Sequence, residues 1–329
     1  MIVNGYQIIG ELSNDNSGYS KWGCATKNGT TYFIKEFLSP VFPTAPELMS
    51  QKQYQGRIDS CVRYQQEHSR LYRAIDECSR GNVVRIKEFF RSGSKYYIVT
   101  EQIPNENLST RQIAMLPERQ KLMLCCSVAY CFKCLHAAKI IHFDVKPSNI
   151  LIKKNSLGNY VPKLIDFDGS MFENELPEDE MEIAGDLTYL APETFLRISG
   201  AESPITTRAD IFALALVLHE YLCGELPEID ISECEYPFEE VLNGRTPRIN
   251  PHIPTEIAEA LEQMLSLDPE CRPTATAVYA IFHRYMTERM KMNVEETCAV
   301  EPRVMPRYTP PKKVEEKKVD RWFSSAGDL

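Results

Sequence analysis

The residues whose types and spacing could do chemistry are concentrated in the stretch 141–152, which reads IHFDVKPSNILI. Apolar β-branched residues flank a polar centre, and Pro147 keeps that centre out of a helix, so a tight loop between short strands is predicted. Asp144 could accept a proton, Lys146 could neutralise a phosphoryl oxygen, and Asn149 could ligate a hard cation. Phosphoryl transfer needs these groups, although a charged surface turn would have the same composition.

A second carboxylate, Asp166, follows the apolar stretch KLI at 163–165. Together with nucleotide phosphates, the side-chain oxygens of Asp166 and Asn149 could hold Mg²⁺, a cation that takes few protein ligands. Asp168 precedes Gly169, and this pair is typical of a turn, so Asp168 is predicted to be a turn residue rather than a metal ligand.

A cation is predicted inside the third strand of the chain, at Lys35. Phe33 and Phe37 share its face of the strand, because side chains alternate along a strand. A partly desolvated lysine needs an anionic partner, and Glu67, on a helix predicted over about 59–78, is the expected one. The alternatives are an edge-strand lysine in water and a solvated helix glutamate.

Two halves of different composition surround these residues. Strands are predicted over 6–12, 22–26, 31–37, 83–91 and 95–102, with an irregular insertion at 38–56 and the one helix. Helices dominate from residue 117 onward. The sequence therefore predicts an N-terminal lobe over 1–102 and a C-terminal lobe over 103–292, with a boundary in the polar stretch 103–110.

Three charged residues of the C-terminal half are expected to be buried. Glu193 lies in APE and Arg272 in CRP, and a buried ion pair between them would explain both. Asp210 begins the apolar segment 211–218, where its carboxylate should accept backbone N–H groups of the central loop. The alternative for Asp210 is a simple helix cap.

Composition and charge argue against several classes of protein. The net charge of -9 disfavours general nucleic-acid binding. No apolar run reaches the roughly 18 residues of a membrane span, and the N-terminus lacks the basic region of a signal peptide. The 11 cysteines are therefore expected to be reduced thiols, and the compartment to be cytoplasmic.

Taken in order, the strand lysine in FIK, the helix glutamate, HFDVKPSN, DFD-Gly, APE and the late arginine resemble the eukaryotic-type protein kinase family over about residues 6–285. The resemblance implies an α+β, two-lobed fold: a small antiparallel sheet with one main helix, then a mostly helical lobe. Lys146, two residues after Asp144, resembles the serine/threonine class, and so does Thr188 in GDLTYLAPE.

The resemblance implies ATP and Mg²⁺ as cofactors and a protein hydroxyl as acceptor. Lys35 would contact the phosphates and pair with Glu67, Asp144 would accept the proton, and Lys146 would stabilise the transferring phosphoryl group. Asn149 and Asp166 would bind Mg²⁺. The remaining implied positions line the ATP site or support the substrate side: Thr100, the hinge residue Glu101 and Leu151, then Thr188, Glu193, Asp210 and Arg272.

Several positions depart from the family pattern. The glycine-rich loop is degenerate, and the aromatic residues Phe33 and Trp22 stand where small residues usually cover the adenine. These departures keep two alternatives open: a pseudokinase that acts as a nucleotide-binding or scaffolding module, and a small-molecule kinase of related fold.

Phe143 replaces the arginine that usually precedes the catalytic aspartate and reads a phosphate on the activation loop. Residues 172–187 contain no Ser, Thr or Tyr, so loop phosphorylation is not expected to be the switch. The same segment is acidic, which indicates either a preference for basic substrates or a solvated loop. Its acids are Glu173, Glu175, Glu178, Asp179, Glu180 and Glu182.

The segment 293–329 is rich in proline and lysine and is predicted to be a disordered tail. Near its end, Trp322 and Phe323 are unusual for such a segment. They could dock onto this protein or a partner, or be an unstructured remnant.

Overall fold

The computed structural model describes residues 1–14, 20–78, 81–176 and 185–298. Met1–Met290 form one compact unit, and of a second unit that begins at Lys291 the structure describes helical backbone as far as Cys298. The segment predicted to be a tail from residue 293 therefore begins as helix. No helix within the described ranges is long and apolar enough to cross a membrane.

The N-terminal part is a six-stranded antiparallel sheet in the order β1-β2-β3-β4-β6-β5. Its strands are β1 (Ile2–Val3), β2 (Tyr6–Ser13), β3 (Ser20–Lys27), β4 (Thr30–Phe37), β5 (Ile86–Ser92) and β6 (Lys95–Glu101). The β3–β4 hairpin turns at Asn28-Gly29, where both residues have positive φ, as this turn requires. The register places Lys35 on β4 between Trp22 on β3 and Ile98 on β6.

Helix α1 (Gln51–Cys78) packs on this sheet through aromatic rings. His68 stacks on Phe89 at 5.9 Å, and Tyr72 meets the same Phe89 edge-on at 5.1 Å between ring centroids. Tyr64 contacts Tyr96 of β6 at 5.2 Å. The predicted start near residue 59 is wrong, because the helix continues through Gly56 and takes up the end of the segment predicted to be irregular.

The remainder is mostly helical, so the predicted α+β architecture is confirmed. Its helices are α2 (Thr110–Ala114), α3 (Glu118–Ala137), α4 (Pro192–Ile198), α5 (Arg208–Cys223), α6 (Pro237–Leu242), α7 (Thr255–Met264) and α8 (Ala275–Cys298). Two short sheets join β7 (Ile140–Ile141) to β10 (Met171–Phe172) and β8 (Ile150–Lys154) to β9 (Tyr160–Leu164). Helix α5 is apolar on nearly all sides and forms the centre of the core, as such a pattern requires.

The predicted ion pair between Glu193 and Arg272 is present and buried. The two guanidinium Nη atoms of Arg272 lie 2.6 and 2.7 Å from the carboxylate oxygens of Glu193. Arg272 also donates to the carbonyls of Ser266 and Arg208, at 2.8 and 2.9 Å. Its side chain is 0% exposed, so each charge depends on the other for compensation.

Removing one partner of this pair should be costly. Arg272→Met leaves the Glu193 carboxylate buried without a cation, and we expect the free energy of unfolding in urea to fall by about 3–5 kcal/mol. The matched control is Arg284→Met, which removes an exposed pair with Glu256 and should cost less than about 1 kcal/mol. Equal losses of unfolding free energy in the two variants would contradict the conclusion that Glu193 and Arg272 form a buried pair.

The α1 packing predicts a specific pH dependence. Burial lowers the pKa of His68 to about 4, although its Nδ1–H donates to the carbonyl of Tyr64 at 3.0 Å. The unfolded chain then binds a proton near pH 6.5, before the folded chain does. The stability that this group contributes is complete above pH 6.5 and is lost as the pH falls to 4, by about 3 kcal/mol.

Urea unfolding between pH 4.5 and 7 tests this expectation. His68→Phe keeps a ring but cannot titrate, so its stability should fall less steeply with acid than that of the unsubstituted protein. His252→Gln removes an exposed histidine and should leave the slope unchanged. An identical slope in His68→Phe and the unsubstituted protein would show that His68 is not the titrating group.

Candidate active site

The central loop lies between β7 and β8, and His142 holds it against β9. His142 Nε2 donates to the carbonyl of Ile165 at 3.0 Å, because a carbonyl can only accept. The other ring nitrogen, Nδ1, accepts the backbone N–H of Asp144 at 3.3 Å. The imidazole therefore bridges the two segments that carry Asp144 and Asp166.

Asp210, in the first turn of α5, fixes the loop backbone from the core. Its two carboxylate oxygens accept the N–H groups of His142 at 2.8 Å and Phe143 at 3.0 Å. One of them also lies 2.9 Å from Nε2 of His136. The predicted bonds to the central loop are thus present, and no hydrogen bond makes Asp210 a cap of its own helix.

Asp144, Lys146 and Asn149 come together within the loop. Asn149 Nδ2 donates to both the carbonyl and the carboxylate Oδ2 of Asp144, each at 2.8 Å. Lys146 Nζ lies 3.0 Å from the same Oδ2 and 3.8 Å from the carboxylate of Asp186. The second carboxylate oxygen, Oδ1 of Asp144, is buried without a hydrogen-bond partner in the described parts of the chain. One oxygen is therefore held by the loop while the other stays unpaired.

Asn149 and Asp166 lie next to each other because the N–H of Ile165 donates to the carbonyl of Asn149 at 2.9 Å. Because Asn149 Nδ2 donates to Asp144, its Oδ1 is the amide atom that could bind a cation. An amide oxygen and a carboxylate oxygen are hard donors, so the pair fits Mg²⁺ with phosphate oxygens completing its coordination. Within the described residues, no cluster of three or more His, Cys, Asp or Glu side chains could hold a metal by itself.

Lys35 joins the sheet to this group. Its Nζ lies 2.6 Å from Oδ1 of Asp166 and 2.8 Å from Oδ2 of Asp168. The predicted pair with Glu67 is wrong: Glu67 is exposed, and the face of α1 that packs on the sheet is aromatic. The assignment of Asp168 as a turn residue alone is also incomplete, because its carboxylate is an ion-pair partner of Lys35.

The carboxylates of Asp166 and Asp168 share the ammonium of Lys35, and this arrangement shifts the pKa values of all three groups. Burial opposes the charge on Lys35, but the carboxylates of Asp168 and Asp166 outweigh it and raise the pKa of Lys35. Burial also disfavours the charged form of Asp166, yet Lys35 lowers its pKa. Burial and the neighbouring Asp166 charge raise the pKa of Asp168 in spite of Lys35. The group thus carries an excess negative charge that a divalent cation would neutralise.

The predicted adenine side is lined by aromatic rings. Phe33 stacks on Trp22 at 5.8 Å and 25°, and Phe33 pairs across β4–β6 with Thr100. The side chain of Glu101 is turned away from that side, since it accepts from the Nζ of Lys163 at 2.7 Å and from the N–H of Arg85 at 3.0 Å.

Leu151 lies opposite Lys163 in the β8–β9 pair and is partly exposed. Sequence reasoning missed the role of Lys163, although a lysine inside an apolar strand was a signal that it has a buried partner.

The structure describes the segment after Asp168 as far as residue 176 and again from residue 185. Ser170 is buried and donates to the carbonyl of His142 at 3.2 Å, while the N–H of Thr188 donates to Asp186 at 3.1 Å. Glu173 lies 2.7 Å from Lys139, and Glu175 pairs with Arg70, so both face cations of this chain. Four of the acids in this segment lie outside the described residues: Glu178, Asp179, Glu180 and Glu182.

Residues 15–19 of the degenerate glycine loop at 13–20 also lie outside the described residues, as do the tail residues Trp322 and Phe323. Their predicted roles, a poor phosphate cradle and a docking segment, stay predictions.

Comparison with known proteins agrees with the geometry. A family model described as the protein kinase domain matches residues 61–286, more than half of the chain. The match includes the central loop, Asp166, Glu193 and Arg272, but begins after Lys35 and the first four strands.

Several protein kinases are similar to this chain. Serine/threonine-protein kinase Nek5 of Mus musculus is 27% identical over 201 residues, which are 60% of this chain and 31% of that protein. The cGMP-dependent protein kinase of Toxoplasma gondii is 29% identical over 214 residues, 63% of this chain and 20% of that protein. Aurora kinase of Yarrowia lipolytica is 24% identical over 254 residues, 75% of this chain and 62% of that protein. The matched stretch thus spans less than a third of the length of the first two relatives.

Proposed function

The chain belongs to the protein kinase family, and from this premise we propose that it transfers the γ-phosphoryl group of ATP to a serine or threonine hydroxyl of a protein. The observation that carries the proposal is the convergence of Asp144, Lys146, Asn149 and Asp166 around one loop, with Lys35 reaching Asp166 from the sheet. Relatives named as serine/threonine-protein kinases support the choice of acceptor.

Asp144 would orient the substrate hydroxyl and take its proton. The contacts of its Oδ2 with Asn149 and Lys146 fix the carboxylate, and its Oδ1 is the unpaired acceptor. A positioned base of this kind typically contributes about 10²–10⁴-fold to the rate. Lys146, already beside Asp144, would stabilise negative charge on the transferring phosphoryl oxygens.

Asn149 Oδ1 and the Asp166 carboxylate would hold Mg²⁺. When bound, this cation would neutralise phosphate charge and orient the phosphates. Lys35 would then contact the nucleotide phosphates, and the Phe33–Trp22 pair, beside Thr100, would cover the base. Leu151 and the backbone of Glu101 would complete the nucleotide side.

A pseudokinase remains the second candidate, because one specific observation favours it. Phe33 and Trp22 place two large stacked rings on the predicted adenine side. A protein of this kind would use the same fold to bind a partner, with or without a nucleotide, and would transfer no phosphate.

We further propose that the N-terminal lobe covers residues 1–102 and the C-terminal lobe 103–292, and that the protein acts in the cytoplasm on protein substrates. A preference for basic substrates would depend on the acids at 178–182, since Glu173 and Glu175 face cations of this chain.

Asp144→Asn tests the catalytic proposal. The amide keeps an acceptor for Asn149 but cannot take a proton, so we expect transfer from labelled ATP to a peptide to fall by about a hundredfold or more. Asp76→Asn, at an exposed position of α1, is the matched control and should transfer at the unsubstituted rate.

Full transfer by Asp144→Asn would refute its role as base. If the unsubstituted chain incorporated no phosphate and MgATP did not shift its melting temperature, the scaffold would be the better description. Transfer to a metabolite but to no peptide would indicate a small-molecule kinase.

We also propose that phosphorylation of the loop is not the activating event. Phe143 is buried at the position where a phosphate-binding arginine would be needed, and Ser170 is buried under His142. Thr188→Glu should therefore not raise the transfer rate above that of Thr188→Gln, which has similar size without charge. Treatment with a protein phosphatase should likewise leave the rate unchanged. A several-fold gain specific to Thr188→Glu would overturn this proposal.

A further inference from the structure

The ammonium of Lys35 has one acidic neighbour more than the proposed chemistry uses. Both Asp166 and Asp168 lie within 2.8 Å of its Nζ, and the Lys35 side chain is only 12% exposed. If Asp166 turns to Mg²⁺, Lys35 keeps a carboxylate partner in Asp168. Asp168 is 20% exposed and Asp166 is 34% exposed, so Asp168 is the more deeply buried of the two carboxylates.

Helix α1 offers no acid in this direction within its described length. Its sheet-facing residues are Tyr64, His68 and Tyr72, which pack on Phe37, Phe89 and Tyr96. The hydroxyl of Tyr72 is buried without a hydrogen-bond partner in the described part of the chain. Burial raises the pKa of Tyr72, and the charge of Asp168 adds to this. The face of α1 that packs on the sheet therefore carries aromatic rings, and its described residues offer no carboxylate that could pair with Lys35.

We propose that Asp168, and not an acid of helix α1, is the residue that positions Lys35 for the nucleotide phosphates. This inference rests on the proposed function. It makes Asp168 a positioning residue that acts through Lys35, on the segment that also carries Asp166. The position of Lys35 then depends on the chain after β9, and a displacement of α1 would break no ion pair at Lys35.

A double-mutant cycle on urea unfolding, with the full chain and without nucleotide, tests the pair itself. Lys35→Met leaves two carboxylates facing each other, and Asp168→Asn relieves that repulsion, so the combined shift of the unfolding midpoint should be smaller than the sum of the single shifts. The midpoint shifts caused by Lys35→Met and by Glu67→Gln should add in the double variant. Glu77→Gln, at an exposed position of the same helix, is the matched control, and its midpoint shift should also add to that of Lys35→Met.

Additive shifts for Lys35 and Asp168, or coupling between Lys35 and Glu67, would overturn the inference. Asp168→Glu, which keeps the charge, should couple to Lys35→Met more weakly than Asp168→Asn does. If Asp168→Asn folds poorly, Asp168→Ser, which also removes the charge, supplies the same cycle.

Kinetics supply the readout that a purely structural role would not move. Asp168→Asn should lower kcat/KM for MgATP about tenfold, which corresponds to the loss of one hydrogen bond between charged groups. Asp168→Glu should recover part of the loss, and Glu67→Gln and Glu77→Gln should match the unsubstituted protein.

The two proposals can fail separately. An active unsubstituted chain in which Glu67→Gln, but not Asp168→Asn, loses activity would overturn the role of Asp168 and leave the kinase activity standing. A chain without transfer activity that still shows coupling between Lys35 and Asp168 would overturn the proposed function and support the pair.

Discussion

The carboxylate of Asp210 is the interaction on which the arrangement of the site depends. Helix α5 is buried on nearly every side, and a charge there is tolerated only if hydrogen bonds replace the water that it loses. The N–H groups of His142 and Phe143 and the ring of His136 provide those bonds. Because α5 is buried along most of its length, the loop that bears Asp144 is attached to the hydrophobic core.

This attachment also explains an unfavourable backbone conformation. Phe143 has a φ of 67°, a region that non-glycine residues rarely occupy and that costs on the order of 1 kcal/mol or more. The bond from its N–H to Asp210 and the burial of its ring hold it there. The next residue, Asp144, is thereby turned toward Lys146 and Asn149, while His142 is turned toward Ile165. One strained residue thus separates the histidine that contacts Ile165 from the aspartate that contacts Lys146 and Asn149.

The buried polar contacts of the C-terminal half could be predicted from the sequence. A charge inside an apolar segment needs hydrogen bonds or an opposite charge, and few residues can supply them. Asp210 had to find backbone donors, and Glu193 had to find Arg272. The partner of Lys35 could not be predicted in the same way. Helix α1 is polar around most of its circumference, so its sequence does not show which face meets the sheet, and the aromatic contacts of His68 and Tyr72 decide it. Asp168 was misjudged because an aspartate before a glycine is common in turns whether or not its carboxylate has a second role.

The first four strands of the N-terminal sheet, which include Lys35, lie outside the match to the family model, because that match begins at residue 61. The β3–β4–β6 register fixes Lys35 at the centre of the sheet, and its ammonium lies 2.6 Å from the carboxylate of Asp166. The match to the family model therefore rests on residues from within α1 onward, which include the buried charges Glu193, Asp210 and Arg272. Lys35, before that match, takes its two carboxylate partners, Asp166 and Asp168, from the segment after β9, which lies inside it.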